Sequence, residues 1–249
     1  MKIKKLLFIA IATIAVAVVF TACGGGSSSG GNGGSSGSGK SSGKITMTTE
    51  EVSVLFYLAG SGVATVDWGD GSAKVSLTLD EYGIPFEHTY TNASIRTITI
   101  NGDNITRLDC RYNITSLDVS RCTELTKLSC GGSFTNLDVN KNTALIVLAV
   151  NAPLTNLDVS KNTALTYLEC YGVFTSLDVS KNTVLAYLNC YGNLLTSLAL
   201  NALFGTLHNN DVGEQKQIYM GGNPGSKCLV LKKVYILIVN YCYTFTIQK

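Results

Sequence analysis

The sequence predicts a mostly β protein, in which a solenoid of about 20-residue turns with parallel strands follows a small β-sandwich-like segment. Two observations carry this. The strings RLDC, KLSC, VLAV, YLEC and YLNC place Leu108, Leu128, Leu148, Leu168 and Leu188 twenty residues apart, and self-similarity at a fixed short period is the mark of a repeat architecture. Upstream, residues 45–103 alternate apolar and polar with the period of two that belongs to strands. The 249 residues are 45% apolar and 14% charged, which excludes a wholly disordered chain. Setting aside Lys2, Lys4 and Lys5 leaves 16 basic groups against 17 acidic ones, a net charge of −1. That balance argues against nucleic acid as a partner.

The first element is an address. Three lysines within Met1–Lys5 precede an apolar run from Leu6 to Phe20 that is short for a membrane span. It ends in Phe20-Thr21-Ala22-Cys23. Small residues directly before a cysteine resemble the lipobox of bacterial lipoproteins. That resemblance implies a signal peptide over 1–22, lipidation at Cys23 and an anchor in the outer membrane of the cell envelope. Residues 23–44 are almost wholly Gly and Ser, too poor in apolar groups to offset their ordering entropy. They read as a flexible tether spanning roughly 25 Å.

The second element is the β segment, 45–103. Val52, Val54, Phe56 and Leu58 keep one register, and SIRTITI at 94–100 alternates cleanly. Asp67-Trp68-Gly69-Asp70-Gly71 between two such runs signals a tight hairpin. VDWGDGS, followed by His88-Thr89-Tyr90, resembles the signature of PKD-type domains, which implies an Ig-like β-sandwich. Asp67 and Asp70 are read as turn formers rather than calcium ligands.

The third element is the repeat array, 104–225. Leu117, Leu137, Leu157 and Leu177 form a second twenty-residue register, which SLALN continues one residue late at Leu198. KNTAL or KNTVL lies between the registers. One turn cannot bury its own apolar edge, but stacked turns about 4.8 Å apart each gain two neighbours. Leu165, Leu168 and Cys170 should point inward, with Phe174 and Leu177 buried after the turn and Ser180–Thr183 forming a polar bend. The pattern LxxLxLxxN/CxL over Asn104–Leu200 resembles the leucine-rich repeat. At that family's asparagine position stand Asn113, Ser133, Pro153, Val173 and Asn193, which implies a less regular backbone ladder in the middle turns. Asn201–Leu207 reads as a helical insert, and Ile218–Asn223 restates the repeat once more.

Residues 226–249 change texture and read as a strand cap over the last turn or as an aberrant tail. Truncation after Gly225 should destabilise the array if the cap reading holds.

Cys110, Cys130, Cys170 and Cys190 share one inward position with Val150, so they are packing residues and buried free thiols. No CxxC pair occurs and His is scarce, so neither a metal nor a cofactor is expected. Asp118, Asp138, Asp158 and Asp178 form a column of like charge. Arg121, Lys141, Lys161 and Lys181 run parallel to it, and turn amides offer further compensation. His88 and His208 lie near no nucleophile motif, so an enzyme is not expected. The outward strand face is the candidate site. Tyr167 and Tyr187 share a column, Tyr171 and Tyr191 another, with Glu169 and Asn189 between them. Tyrosine suits recognition surfaces. The expectation is a non-enzymatic, lipid-anchored recognition protein binding a protein partner through these six residues. The alternatives are glycan binding at the same patch, within polysaccharide capture, and a purely structural envelope component.

Overall fold

The computed structural model describes residues 43–207, 216–227, 235–239 and 242–247. The signal segment, Cys23, residues 24–42 of the tether, His208 and Cys228 lie outside them, while Gly43 and Lys44, read as the end of the tether, begin the first strand. Five strands build the N-terminal segment: β1 (Gly43–Thr49), β2 (Ser53–Asp67), β3 (Val75–Thr78), β4 (Ile84–Thr89) and β5 (Arg96–Asp118). Two of them, β2 and β5, pair with different partners along their length. The first half of β2 pairs antiparallel with β4, and its second half pairs with β3 across the Asp-Gly turn. β1 lies between two stretches of β5, with Thr46 opposite Thr99 on one side and Asp118 on the other. The pairing of β2 with β5 shifts register at Gly60, where β2 passes Asn104 so closely that a Cβ would lie 1.9 Å from its carbonyl oxygen.

β5 runs unbroken across residues 103 and 104, from the N-terminal segment into the first repeat. Its Arg107–Cys110 pairs in parallel with Lys127–Cys130 of β6 (Lys127–Gly132). Then follow β7 (Val147–Asn151), β8 (Tyr167–Tyr171), β9 (Tyr187–Asn189) and β10 (Lys216–Tyr219), each parallel to its predecessor. After β9 comes α1 (Ser197–Thr206), capped by Thr196, whose hydroxyl accepts the Ala199 N–H. β12 (Cys242–Ile247) pairs antiparallel with β10 and with β11 (Tyr235–Val239). All twelve strands belong to one sheet. No helix among the described residues is long and apolar enough to cross a membrane.

The core is a set of columns. Leu108, Leu128, Leu148, Leu168, Leu188 and Ile218 stack at 2% exposure or less. Beside them run Cys110, Cys130, Val150, Cys170, Cys190 and Met220, and just before the strands Leu125, Leu145, Leu165 and Leu185 are buried as well. Phe134, Leu154, Phe174 and Leu195 close the far side. Each buried side chain of this size contributes about 1.5–3 kcal/mol of transfer free energy, realised only when the next turn covers it.

Two expectations are corrected here. The ladder is not weakened in the middle turns: Lys127–Gly131, Val147–Asn151 and Tyr167–Tyr171 pair residue for residue. The irregularity lies in the first turn, between Cys110 and Ile114. Asparagines of the KNTAL bend add a second ladder between the turns. Asn142 donates its side-chain amide to the carbonyls of Val119 and Cys122, Asn162 to those of Val139 and Asn142, and Asn182 to those of Val159 and Asn162. Cys122 fills the corresponding slot one turn earlier, buried, with its thiol toward the Ile105 carbonyl at 3.7 Å. Secondly, Leu198 does not continue the buried leucine register. It lies on α1 and is 80% exposed, because the helical period sends Leu200 and Leu203 inward instead.

The aspartate column is neutralised locally. Asp118, Asp138, Asp158 and Asp178 each accept the backbone N–H two residues on, at 2.7–2.9 Å. The Ser120 and Ser160 hydroxyls, then those N–H bonds, hold the carboxyls of Asp118 and Asp158 below the usual carboxylate range; for Asp178 the Ser180 N–H leads and its hydroxyl follows. Among the described residues no ion pair joins Arg121 or the three lysines to the column; Arg121, Lys161 and Lys181 act on it through space.

Candidate functional site

Pairing across the sheet aligns the outward side chains into three columns. The first is Arg107, Lys127, Val147, Tyr167, Tyr187 and Gln217; the second is Asp109, Ser129, Ala149, Glu169, Asn189 and Tyr219. Gly131, Asn151 and Tyr171 begin the third. The face does not stop at the solenoid. β2 pairs with the other edge of β5, setting Tyr57 opposite Asp109, and β4 sets Pro85 opposite Tyr57.

The structure brings five of the six candidate side chains into one hydrogen-bonded cluster. Glu169 is its hub: its carboxylate accepts the Tyr167 hydroxyl at 3.1 Å and the Tyr171 hydroxyl at 2.5 Å. The Asn189 amide donates to the same carboxylate at 3.3 Å and to the Tyr171 oxygen at 2.8 Å. Tyr167 and Tyr187 stack face to face, centroids 4.2 Å apart and planes within 1°. Burial, then the Glu169 charge, pushes the Tyr167 phenol well above its ordinary value; burial and the bond to Glu169 do the same for Tyr171. These hydroxyls therefore stay protonated donors through the physiological range. Tyr191 stands apart. Only its backbone N–H joins the cluster, through Asn189 Oδ1 at 3.1 Å, and its ring is 43% exposed.

Sequence reasoning missed Tyr219, which extends the aromatic group by packing 5.3 Å from Tyr187. The alignment of Ile218 with Leu188 was a signal for it. It also missed Tyr57, because an antiparallel strand from outside the repeats cannot be read from the repeat period.

At the other end of the face lies a charged group. Asp109 accepts from Arg111 Nε at 3.0 Å and lies 3.5 Å from Arg107 Nη2. Burial, then repulsion from Arg107, lowers the Lys127 ammonium below its ordinary value. Between the two groups the outward residues are small: Ser129, Gly131 and Ala149.

Asp67 and Asp70 are spent on turn chemistry. Asp67 accepts the Gly69 N–H and pairs with Lys74 at 3.1 Å; Asp70 accepts the Ser72 N–H and bonds His88 Nε2 at 2.7 Å. The His88 ring stacks on Trp68 at 4.8 Å and meets Tyr90 edge-on. This constellation ties the hairpin to β4. Cys110, Cys122, Cys130, Cys170 and Cys190 are buried free thiols. Among the described residues no three His, Cys, Asp or Glu side chains gather as a metal site.

Fold and face together define a leucine-rich-repeat solenoid whose strand surface is continuous with that of the preceding β segment. No protein-family profile and no curated protein matches the chain. Among solved structures it is similar to the functional domain of InlJ from Listeria monocytogenes, described as including a cysteine ladder. The two are 38% identical over 41% of this chain and 24% of that one, with a TM-score of 0.37. The chain thus matches about a quarter of that structure's length.

Proposed function

We propose that this chain is a non-enzymatic recognition protein of the bacterial cell envelope, lipid-anchored to the outer membrane through Cys23, whose strand face binds a protein partner. The observation that carries the reading is the cluster around Glu169. Five polar side chains, held to one another by hydrogen bonds on a parallel sheet, form a half-buried amphipathic surface. Little conformational entropy remains to be lost when a partner docks on it. The face-to-face stack of Tyr167 on Tyr187 covers ring faces that a sugar would need, which favours a protein over a glycan ligand.

The test is site-specific photocrosslinking on intact cells. A photoreactive residue at Tyr191 should give a discrete protein adduct, while one at Thr155, across the turn, should not. Replacing Tyr167, Tyr171 and Tyr187 by serine should remove the adduct while the sheet signal in circular dichroism persists. Identical adducts from both positions, or none, would overturn the assignment, and a glycan array with clear hits would shift the reading to carbohydrate.

A further inference from the structure

We infer that the strand face carries a carboxylate-binding subsite above Ser129, built by Lys127, Arg107 and Arg111, which receives an acidic side chain of the protein partner. The inference rests on the protein-recognition reading and names the chemistry of that partner.

Charge is the first argument. Three cations share this end of the face with one carboxylate, Asp109, whose two oxygens are taken by Arg111 and Arg107. Lys127 pairs with no carboxylate among the described residues. It is half-buried; Arg107 and Arg111 repel it, and Asp109 offsets that only in part. An arriving carboxylate would relieve that repulsion and be held by charge-assisted bonds.

Unmet polar atoms are the second. Ser129 is 1% exposed, yet its hydroxyl has no hydrogen-bond partner, and Arg107 Nε is likewise buried without one. Buried polar groups are ordinarily satisfied, so two orphan donors beside an unpaired ammonium are the complement of an anion. Position along the face is the third. The Glu169 carboxylate, two turns away at roughly 10 Å, is already satisfied by its own neighbours. It offers a carboxylate ligand nothing, so the acidic group belongs at the β5–β6 end.

The probe is a blocked Gly-Glu-Gly peptide against its Gly-Gln-Gly counterpart, titrated into the full chain. Amide resonances of Ser129 and Gly131 should shift saturably with the acidic peptide alone. Amine-reactive labelling of Lys127 should fall several-fold at saturation. Lys127→Gln, which removes no internal ion pair, should weaken the peptide at least tenfold, and Lys127→Arg should restore most of that loss. Equal shifts from both peptides, or binding unchanged in Lys127→Gln, would overturn the subsite. The two readings fail separately. A crosslinked partner from Tyr191 whose capture ignores Lys127→Gln overturns the subsite alone. Peptide binding at Ser129 without any crosslinked protein overturns the recognition reading alone.

Discussion

Asn162 donates its side-chain amide to the backbone carbonyl of Asn142 one turn below at 2.8 Å, and its own carbonyl receives Asn182 from the turn above at 2.9 Å. The Asn142, Asn162 and Asn182 amides are buried, and they bridge turns in the bends that lead into the strands. Asn162→Ala leaves the carbonyls of Val139 and Asn142 without a donor, a loss of about 2–4 kcal/mol. Asn162→Asp should be worse near neutral pH, since it aims a carboxylate at two carbonyl oxygens, and should recover as the pH falls and the group protonates. Urea denaturation at two pH values checks both. An aspartate variant as stable as the alanine one would contradict the donor role.

The buried thiols bear on alkaline stability. Burial raises Cys122 from 9.0 to about 11 and Cys190 from 9.0 to about 12, and it raises Tyr90 from 10.0 to about 12. Because the folded values lie above the unfolded ones, their contribution is whole below pH 9 and is lost as pH rises through the folded values. Thermal melts should therefore fall steadily above pH 9. At pH 8, peptide-resolved alkylation should leave Cys110, Cys122, Cys130, Cys170 and Cys190 unmodified until denaturant is added. Val150→Cys, which completes the column, should cost about 1 kcal/mol and add a thiol equally inert in the native state.

The strand side of the solenoid was legible in the sequence because leucine recurs at one interval and every inward position is apolar. The asparagine ladder was not, because KNTAL has the composition of an exposed bend. The clue was Cys122, an apolar residue in the slot that later turns fill with Asn142, Asn162 and Asn182. The cluster around Glu169 was half legible: stacking by twenty puts Tyr167 beside Tyr187, but only side-chain geometry turns both phenols of one strand onto the acid between them. The charged end of the face was hidden for another reason. Asp109 and Arg107 gain their neighbours Tyr57 and Ala59 from an antiparallel strand whose register no repeat encodes. Leu198 misled because a single inserted residue let a helix replace the expected turn.

His88 lies between Asp70 and the face of Trp68. Trp68 is the one tryptophan in the chain, so its fluorescence reports this junction alone. His88→Ala removes a ring stack worth about 1 kcal/mol and should change Trp68 emission in the native state. Asp70 is held well below the usual carboxylate range by its bonds to Ser72, then by His88. A lowered folded value means that its contribution is present above the ordinary 3.8 and lost as pH falls below it. The wild-type acid transition should thus start below pH 4 and move upward in His88→Ala. An acid midpoint unchanged by the substitution would show that the pair does not hold the hairpin.

Gly60 and Gly71 separate two demands that glycine meets. Both have positive φ, 151° and 82°. At Gly71 an added Cβ meets nothing within 4 Å, so Gly71→Ala should cost only the left-handed backbone penalty, about 1–2 kcal/mol. At Gly60 the Cβ would fall 1.9 Å from the Asn104 carbonyl oxygen, an atom of the backbone that cannot rotate away. Gly60→Ala must push β2 off β5 at the point where the N-terminal segment joins the first repeat, at about 3 kcal/mol or more. The displacement should also spread along the face: Tyr57 loses its place opposite Asp109, so backbone amides from Arg107 to Cys110 should exchange faster in Gly60→Ala and not in Gly71→Ala. Equal stability losses in the two variants, with exchange at 107–110 unaltered in both, would mean that the crossing does not depend on a bare α-carbon.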